Sequence, residues 1–283
     1  MKLLRLGAPG SERPAILDAD GRPRDLSGHV QDIAGAALSP QGLERLAKLP
    51  PSTLPELPAQ RRPGPCVGGV GKLICVGLNY TAHADELGMG RPSEPVLFAK
   101  ATSALSGAFD PIVRPRDGEA LDYEVELAVV IGTRGRYIHR AQALSHVAGL
   151  ATFNDVSERR FQTERGGQWI KGKSHDGFGP LGPWLVTLDE IDDVQALGLS
   201  LDVNGARRQS GTTARMIFPV DEIVAYVSRF MTLHPGDVIA TGTPPGVAMG
   251  MRPPAWLLPG DVVEAEVDGL GRQRTPVVAW DEA

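Results

Sequence analysis

The residues able to do chemistry sit in a few short stretches, the richest being Asp122–Gly132, DYEVELAVVIG. Read as a strand over Tyr123–Val130, its period of two puts Tyr123, Val125 and Leu127 on one face and Glu124 with Glu126 on the other. Like charges side by side in an apolar element are costly unless they reach solvent or a cation neutralises them. The stretch is therefore either an exposed edge face or part of a metal site. Asp155, at the end of the apolar run Gly149–Asn154, offers a third carboxylate; its alternative role is a turn or helix-cap aspartate. Three carboxylates with no cysteine and no H-x-x-x-H pair specify hard oxygen ligation, which favours Mg²⁺ or Mn²⁺ over Zn²⁺.

A second group is Asn79–Gly88, NYTAHADELG. A short helix here places His83 and Glu86 three residues apart on one face, where the carboxylate can orient the imidazole and raise its basicity, as water activation requires. The plainer reading is a solvated helix with a surface histidine. Gly88, Gly90 and Pro92 follow at once, so a mobile lid is expected. A third stretch, Arg165–Ser174 (RGGQWIKGKS), carries Arg165, Gln168, Lys171 and Lys173 between glycines and suits a small acidic ligand, or else is a solvated basic loop. Although Gly167–Ser174 matches the bare G-x-x-x-x-G-K-S spacing, no strand leads into it as a phosphate-binding P-loop requires, and no strand is followed by G-x-G-x-x-G, so nucleotide binding is not expected. Thr241–Gly246, TGTPPG, can present N–H groups and the Thr243 hydroxyl to a carboxylate, or is merely a turn. No G-x-S-x-G elbow occurs, and Cys66 and Cys75, the two cysteines, read as structural.

These residues need a scaffold. The chain has 283 residues, with 42% hydrophobic and 22% charged, which is the balance of a soluble folded protein. A net charge of −5, with no block of Lys or Arg, argues against nucleic acid as partner. No run is long enough for a membrane span, and the opening residues lack the apolar stretch of a signal peptide, so no membrane partner and a reducing cytoplasm are expected. The 34 glycines and 24 prolines argue for many turns and against a helical bundle.

Short strands are expected at Lys2–Leu6 and Ala15–Leu17 and a helix at Gln41–Leu49, forming a small N-terminal α/β unit. The proline-rich stretch Leu49–Cys66 then reads as an extended linker, which divides the chain into residues 1–65 and a main domain over 66–283. Within the latter, apolar runs at Leu73–Val76, Val96–Phe98, Tyr123–Ile131, Leu150–Asn154, Leu199–Val203, Val238–Thr241 and Val262–Val267 give a mostly β pattern. The repeated Pro-Gly-Asp-Val at 235 and 259 points to neighbouring β-units. One helix is clear over Val220–Met231, with Val220, Ile223, Val224, Val227 and Phe230 at helical spacing. The fold class is thus α+β, mostly β.

Taken in order, these pieces resemble the fumarylacetoacetate hydrolase family from about Gly71 to Gly269. The landmarks are Lys72–Tyr80 (KLICVGLNY) with His83 and Glu86, Pro95–Lys100, Tyr123–Leu127, Asn154–Ser157, Lys173-Ser174, Asn204-Gly205 and Asp237–Gly246. The resemblance implies a mixed β-sandwich roll, usually dimeric, that binds Mg²⁺ or Mn²⁺ through Glu124, Glu126 and Asp155. It implies a general-base pair at His83 and Glu86 and a substrate-facing Lys173; Tyr80, Arg165, Gln168, Lys171 and Thr243 stand beside them as substrate-binding candidates read from the stretches above. An extra aspartate ligand of the animal fumarylacetoacetases has no match here, which puts that activity in doubt. The start MKLLRLG and the insert RGGQWIKGKS look most like a bacterial branch that includes 2,4-diketo-3-deoxy-rhamnonate and -fuconate hydrolases, often labelled ureidoglycolate lyases. The expected reaction is C3–C4 cleavage of a small anionic 2,4-dioxo acid to pyruvate and a carboxylic acid such as lactate. Decarboxylation, isomerisation, hydration or ureidoglycolate lysis on the same site is the alternative, and a non-catalytic acid-binding protein is the alternative of another class.

Overall fold

Alternating and continuous apolar runs assemble, in a computed structural model that describes residues 1–58 and 60–282, into two principal sheets. The larger has nine strands in the order Pro23–Asp25, Arg13–Leu17, Lys2–Leu6, Leu185–Thr187, Val147–Asn154, Val125–Ile131, Val238–Ala240, Leu73–Gly77 and Val96–Lys100. The smaller has five, Ala206–Thr212, Gly198–Val203, Val262–Val267, Gly271–Ala279 and Ile112–Arg114. Mostly β with short helices, this is the architecture the patterning implies.

The Val125–Ile131 strand is buried along its whole length because both of its faces are covered. Val125, Leu127, Val129 and Ile131 join the core shared with the smaller sheet and the helix Val220–Phe230, while Ala128 and Val130 join a second core with Ala151, Val238 and Ala240. Strand period therefore puts Glu126 on the second face, at the strand's beginning. The helix packs through Val220, Ile223, Val224 and Val227, and Arg140 pairs with Asp221 and Glu222 in its first turn at 2.8 Å each. Phe230, placed on the apolar face by spacing, is instead 57% exposed; the last turn leaves the core and the ring packs edge-on against Tyr226.

The nine-stranded sheet runs across residue 65, since Leu3 pairs with Leu185 and Leu4 with Ala15. The proline-rich stretch between is packed down: Leu54 and Leu57 are buried, and Glu56 and Pro63 form isolated bridges to Arg24 and Leu6. The two Pro-Gly-Asp-Val copies are not neighbouring units, because Val238–Ala240 lies in the larger sheet and Val262–Val267 in the smaller. What they share is a turn: Asp237 accepts from His234 N–H and Asp261 from Leu258 N–H, both at 2.7 Å. Among the described residues no helix is long and apolar enough to cross a membrane.

Candidate metal centre and its cavity

Glu126 stands near the start of the central strand, Glu124 just before it, and Asp155 just past the end of the antiparallel neighbour Val147–Asn154. Register joins these ends, with Asn154 opposite Val125, Asp155 N–H donating to Glu124 O at 2.9 Å and Glu124 N–H donating to Asn154 Oδ1 at 3.0 Å. The result is a cluster in which one oxygen from each of Glu124, Glu126 and Asp155 lies within 4.8 Å of the others, all three residues being buried. The expectation of an exposed acidic edge does not hold.

Three cations face these acids. Lys173, at the end of the short helix Ile170–Lys173, donates to Glu124 Oε2 and Asp155 Oδ2 at 2.7 Å each. Arg159 bridges Glu124 Oε1 and Asp122 Oδ2, and Lys100, the last residue of its edge strand, donates to Asp155 Oδ1 and Val156 O. Glu126 alone touches no cation; its Oε2 accepts Gly242 N–H at 2.8 Å. Gly242 can approach this closely because its φ is +97° and a Cβ there would lie 2.7 Å from Asn79 Cβ.

The imbalance shows in the ionisation. Burial pushes the Glu126 carboxyl well above the usual range, and the Asp155 and Glu124 charges push it further. Glu124 is equally buried, but Arg159 and Lys173 outweigh the burial and hold its carboxyl low. Burial alone would depress Lys173; Asp155 and Glu124 instead keep its ammonium above the ordinary range. Four carboxylates thus confront three cations, and the excess negative charge falls on Glu126. A divalent cation fits this donor set, since an oxygen engaged by one N–H keeps a second lone pair for ligation.

His83 and Glu86 lie on the helix Thr81–Glu86, with Nδ1 3.3 Å from Oε2. Gly246 N–H holds both Glu86 oxygens at 3.0 and 3.1 Å, so the carboxylate is fixed from the far side. The entry of this helix is pinned by Asn79, whose amide donates to Phe218 O and Thr241 O and whose Oδ1 accepts from Phe218 N–H. His83, the three acids, Arg159 and Lys173 all line one cavity of about 190 Å³.

The other expected residues fall differently. Thr243 lines the cavity, but its hydroxyl is committed to Val125 O and Gln209 Nε2. Tyr80 is buried with no partner for its hydroxyl among the described residues, and does not line this cavity. Arg165, Gln168 and Lys171 are exposed and also lie off the lining: Arg165 stacks on Phe161 at 5.2 Å and Lys171 Nζ donates to Arg165 O. Residues not foreseen are Lys100, Asp122, Arg159 and Gln209. The Gln209 side chain accepts Val125 N–H at 2.9 Å, which ties the smaller sheet to the site strand.

The model of the fumarylacetoacetate hydrolase C-terminal family matches residues 72–278. The chain belongs to the fumarylacetoacetate hydrolase family. All the candidate site residues lie inside that span. A relative from Burkholderia multivorans, known by the general name hydrolase, is 56% identical over 274 residues, covering 96% of this chain and 97% of its own. Among solved structures, a fumarylacetoacetate hydrolase from Exiguobacterium antarcticum is 40% identical with a TM-score of 0.87, covering 99% of each chain. A probable 2-hydroxyhepta-2,4-diene-1,7-dioate isomerase from Mycobacterium abscessus is 34% identical with a TM-score of 0.82, at the same coverage. A maleylpyruvate hydrolase from Sphingobium sp. SYK-6, solved with manganese(II) and pyruvate, is 29% identical with a TM-score of 0.82 over 99% of each chain. The family therefore holds both hydrolases and isomerases on this fold.

Proposed function

We propose that this protein is a divalent-cation-dependent hydrolase that cleaves the C3–C4 bond of acylpyruvate-type 2,4-dioxo acids, giving pyruvate and a carboxylic acid. The observation that carries the reading is one cavity lined by both the three-carboxylate cluster and His83, whose imidazole Glu86 contacts from behind the lining. A Mg²⁺ or Mn²⁺ ion held by Glu124, Glu126 and Asp155 supplies Lewis acidity at the 1-carboxylate and 2-oxo end of the substrate. The manganese and pyruvate bound to the Sphingobium hydrolase support this assignment.

The chain's own groups do the rest. Glu86, anchored by Gly246, holds the imidazole through Nδ1 and leaves Nε2 to take a proton from water. The hydroxide formed adds to C4, the C3–C4 bond breaks with its electron pair leaving on the pyruvate fragment, and the imidazolium returns the proton to C3. Lys173, with one N–H beyond those given to Glu124 and Asp155, can neutralise charge on that fragment. Likeness to the Mycobacterium isomerase favours a second reading, isomerisation of a 2-oxo acid on the same groups. Purified protein with Mg²⁺ or Mn²⁺ is tested on a panel of 2,4-dioxo acids with coupled pyruvate detection. Pyruvate release that EDTA abolishes and metal restores is expected; unchanged activity in metal-stripped protein, or substrate rearrangement with no pyruvate, refutes the hydrolase reading.

A further inference from the structure

Resting on the hydrolase reading, we infer that the acyl end of the substrate is apolar and uncharged, so that the enzyme takes 2,4-dioxo monoacids rather than dicarboxylates or polyhydroxylated sugar acids. Beyond the acidic cluster the cavity wall is built from Val76, Leu87, Met89, Phe98, Trp169 and Met249. Phe98 and Trp169 meet edge to face at 5.2 Å, and the Lys173 ammonium lies 5.1 Å from the Phe98 ring, so the aromatic pair begins where the charged end stops. Trp169 lies against Gly77, where a Cβ would come within 3.0 Å of the indole, so the main chain there leaves room for the ring.

The polar side chains give a distal polar group little to bind. Among the described residues, Arg159 and Lys173 are the Arg and Lys side chains of the lining. Both are engaged by carboxylates, Arg159 by Asp122 and Glu124, Lys173 by Glu124 and Asp155. Gln162 accepts from Arg159, Thr163 donates to Arg159 O, and Thr243 is held by Val125 and Gln209. A second carboxylate would leave water without meeting an Arg or Lys free of carboxylates, and hydroxyls would lose water against an apolar wall; both are costly. The exposed Arg165 and Lys171 lie outside the lining, so they offer no substitute.

The test separates tail recognition from turnover by using 2-oxo acids without a 4-oxo group. The Mn²⁺-loaded protein is titrated calorimetrically with pyruvate, 2-oxohexanoate, 2-oxoadipate and a 2-oxo-3-deoxy sugar acid. We expect 2-oxohexanoate to bind tightest, by up to about fourfold per methylene over pyruvate, and more than about tenfold tighter than 2-oxoadipate or the sugar acid. Met89 is 45% exposed, so Met89→Arg should fold normally and raise 2-oxoadipate affinity, whereas Trp169→Ala should erase the chain-length preference. Equal or tighter binding of 2-oxoadipate or the sugar acid by the wild type, or no binding of any of the four, overturns the inference. The tail preference without cleavage of any 2,4-dioxo acid upholds it and removes the hydrolase reading, while pyruvate release mainly from dicarboxylic substrates does the reverse.

Discussion

Replacing Glu126 by Gln should make the metal-free protein more stable and the metal-loaded protein less so. Glu126 is the buried carboxylate with no cation beside it, and its neighbours in the cluster are two more carboxylates. With the oxygens within 4.8 Å of one another, an effective dielectric near 20 makes each like-charge pair worth at least about 3.5 kcal/mol. Lys173 and Lys100 offset much of that, which leaves a net relief of about 1–3 kcal/mol on removing the charge. Gln keeps an oxygen for Gly242 N–H, so little packing is lost.

The sign follows from the proton count. The folded Glu126 carboxyl titrates above its unfolded value, so the folded state retains a proton that the unfolded state releases. Wild-type metal-free stability therefore falls as pH rises above about 4.5 and through the raised value, and the Glu126→Gln variant lacks this slope. In EDTA at pH 7.5 the variant should melt roughly 2–5 °C higher. Saturating Mn²⁺ should reverse the order, because metal at about a hundred times its dissociation constant adds about 2.7 kcal/mol to a protein that binds it, and the variant binds weakly. Calorimetric melting of both proteins, with EDTA and with metal, reads all four values. Wild-type stability indifferent to metal, together with a variant no more stable in EDTA, would refute the view that Glu126 is the charge excess a cation neutralises.

His83→Ala should lower cleavage of a 2,4-dioxo acid roughly 10²–10⁴-fold, and adding Glu86→Gln should cost little more, since the two act as a unit; near-wild-type pyruvate release from His83→Ala would exclude water activation by this pair. Arg159→Met leaves Asp122 buried without its cation and Glu124 with Lys173 alone, and should cost about 3–5 kcal/mol of stability, read by urea denaturation. Burial depresses the His175 imidazole below its ordinary value of 6.5, so the unfolded chain takes up the proton first and stability is lost as pH falls through that value; His175→Leu should flatten the melting temperature between pH 7 and 5.

Much of this site is legible in the sequence because its signals are local. Glu124 with Glu126, and His83 with Glu86, are close pairs, and Asp155 ends an apolar run whose strand pairs with theirs. The cations are not legible in the same way. Lys100 closes an edge strand, and Arg159 follows the turn after Asp155, so neither has a spacing that links it to the acids until the sheet brings the ends together. Gln209 lies in the polar strand Ala206–Thr212, where only residue 209 is fully buried, and such a strand carries no apolar signal. Arg165, Gln168 and Lys171 mislead for the opposite reason: a basic, glycine-rich stretch looks like a binding loop, yet the chain turns Lys173 inward and leaves the others in water.

The pairing of Leu3 with Leu185 has a consequence for the order in which the protein is made. During synthesis the first three strands can close on one another as a meander, because their pairings with one another lie within the first 25 residues. The open side of Lys2–Leu6 must then wait while about 160 more residues are translated, roughly 8–30 s at ordinary elongation rates. Residues 62–64 cover its Leu6 end early, but throughout that interval the Lys2–Leu3 end stays bare, a template for pairing with other chains. Slow or stalled translation before Thr187 should therefore lower soluble yield more than stalling after it does.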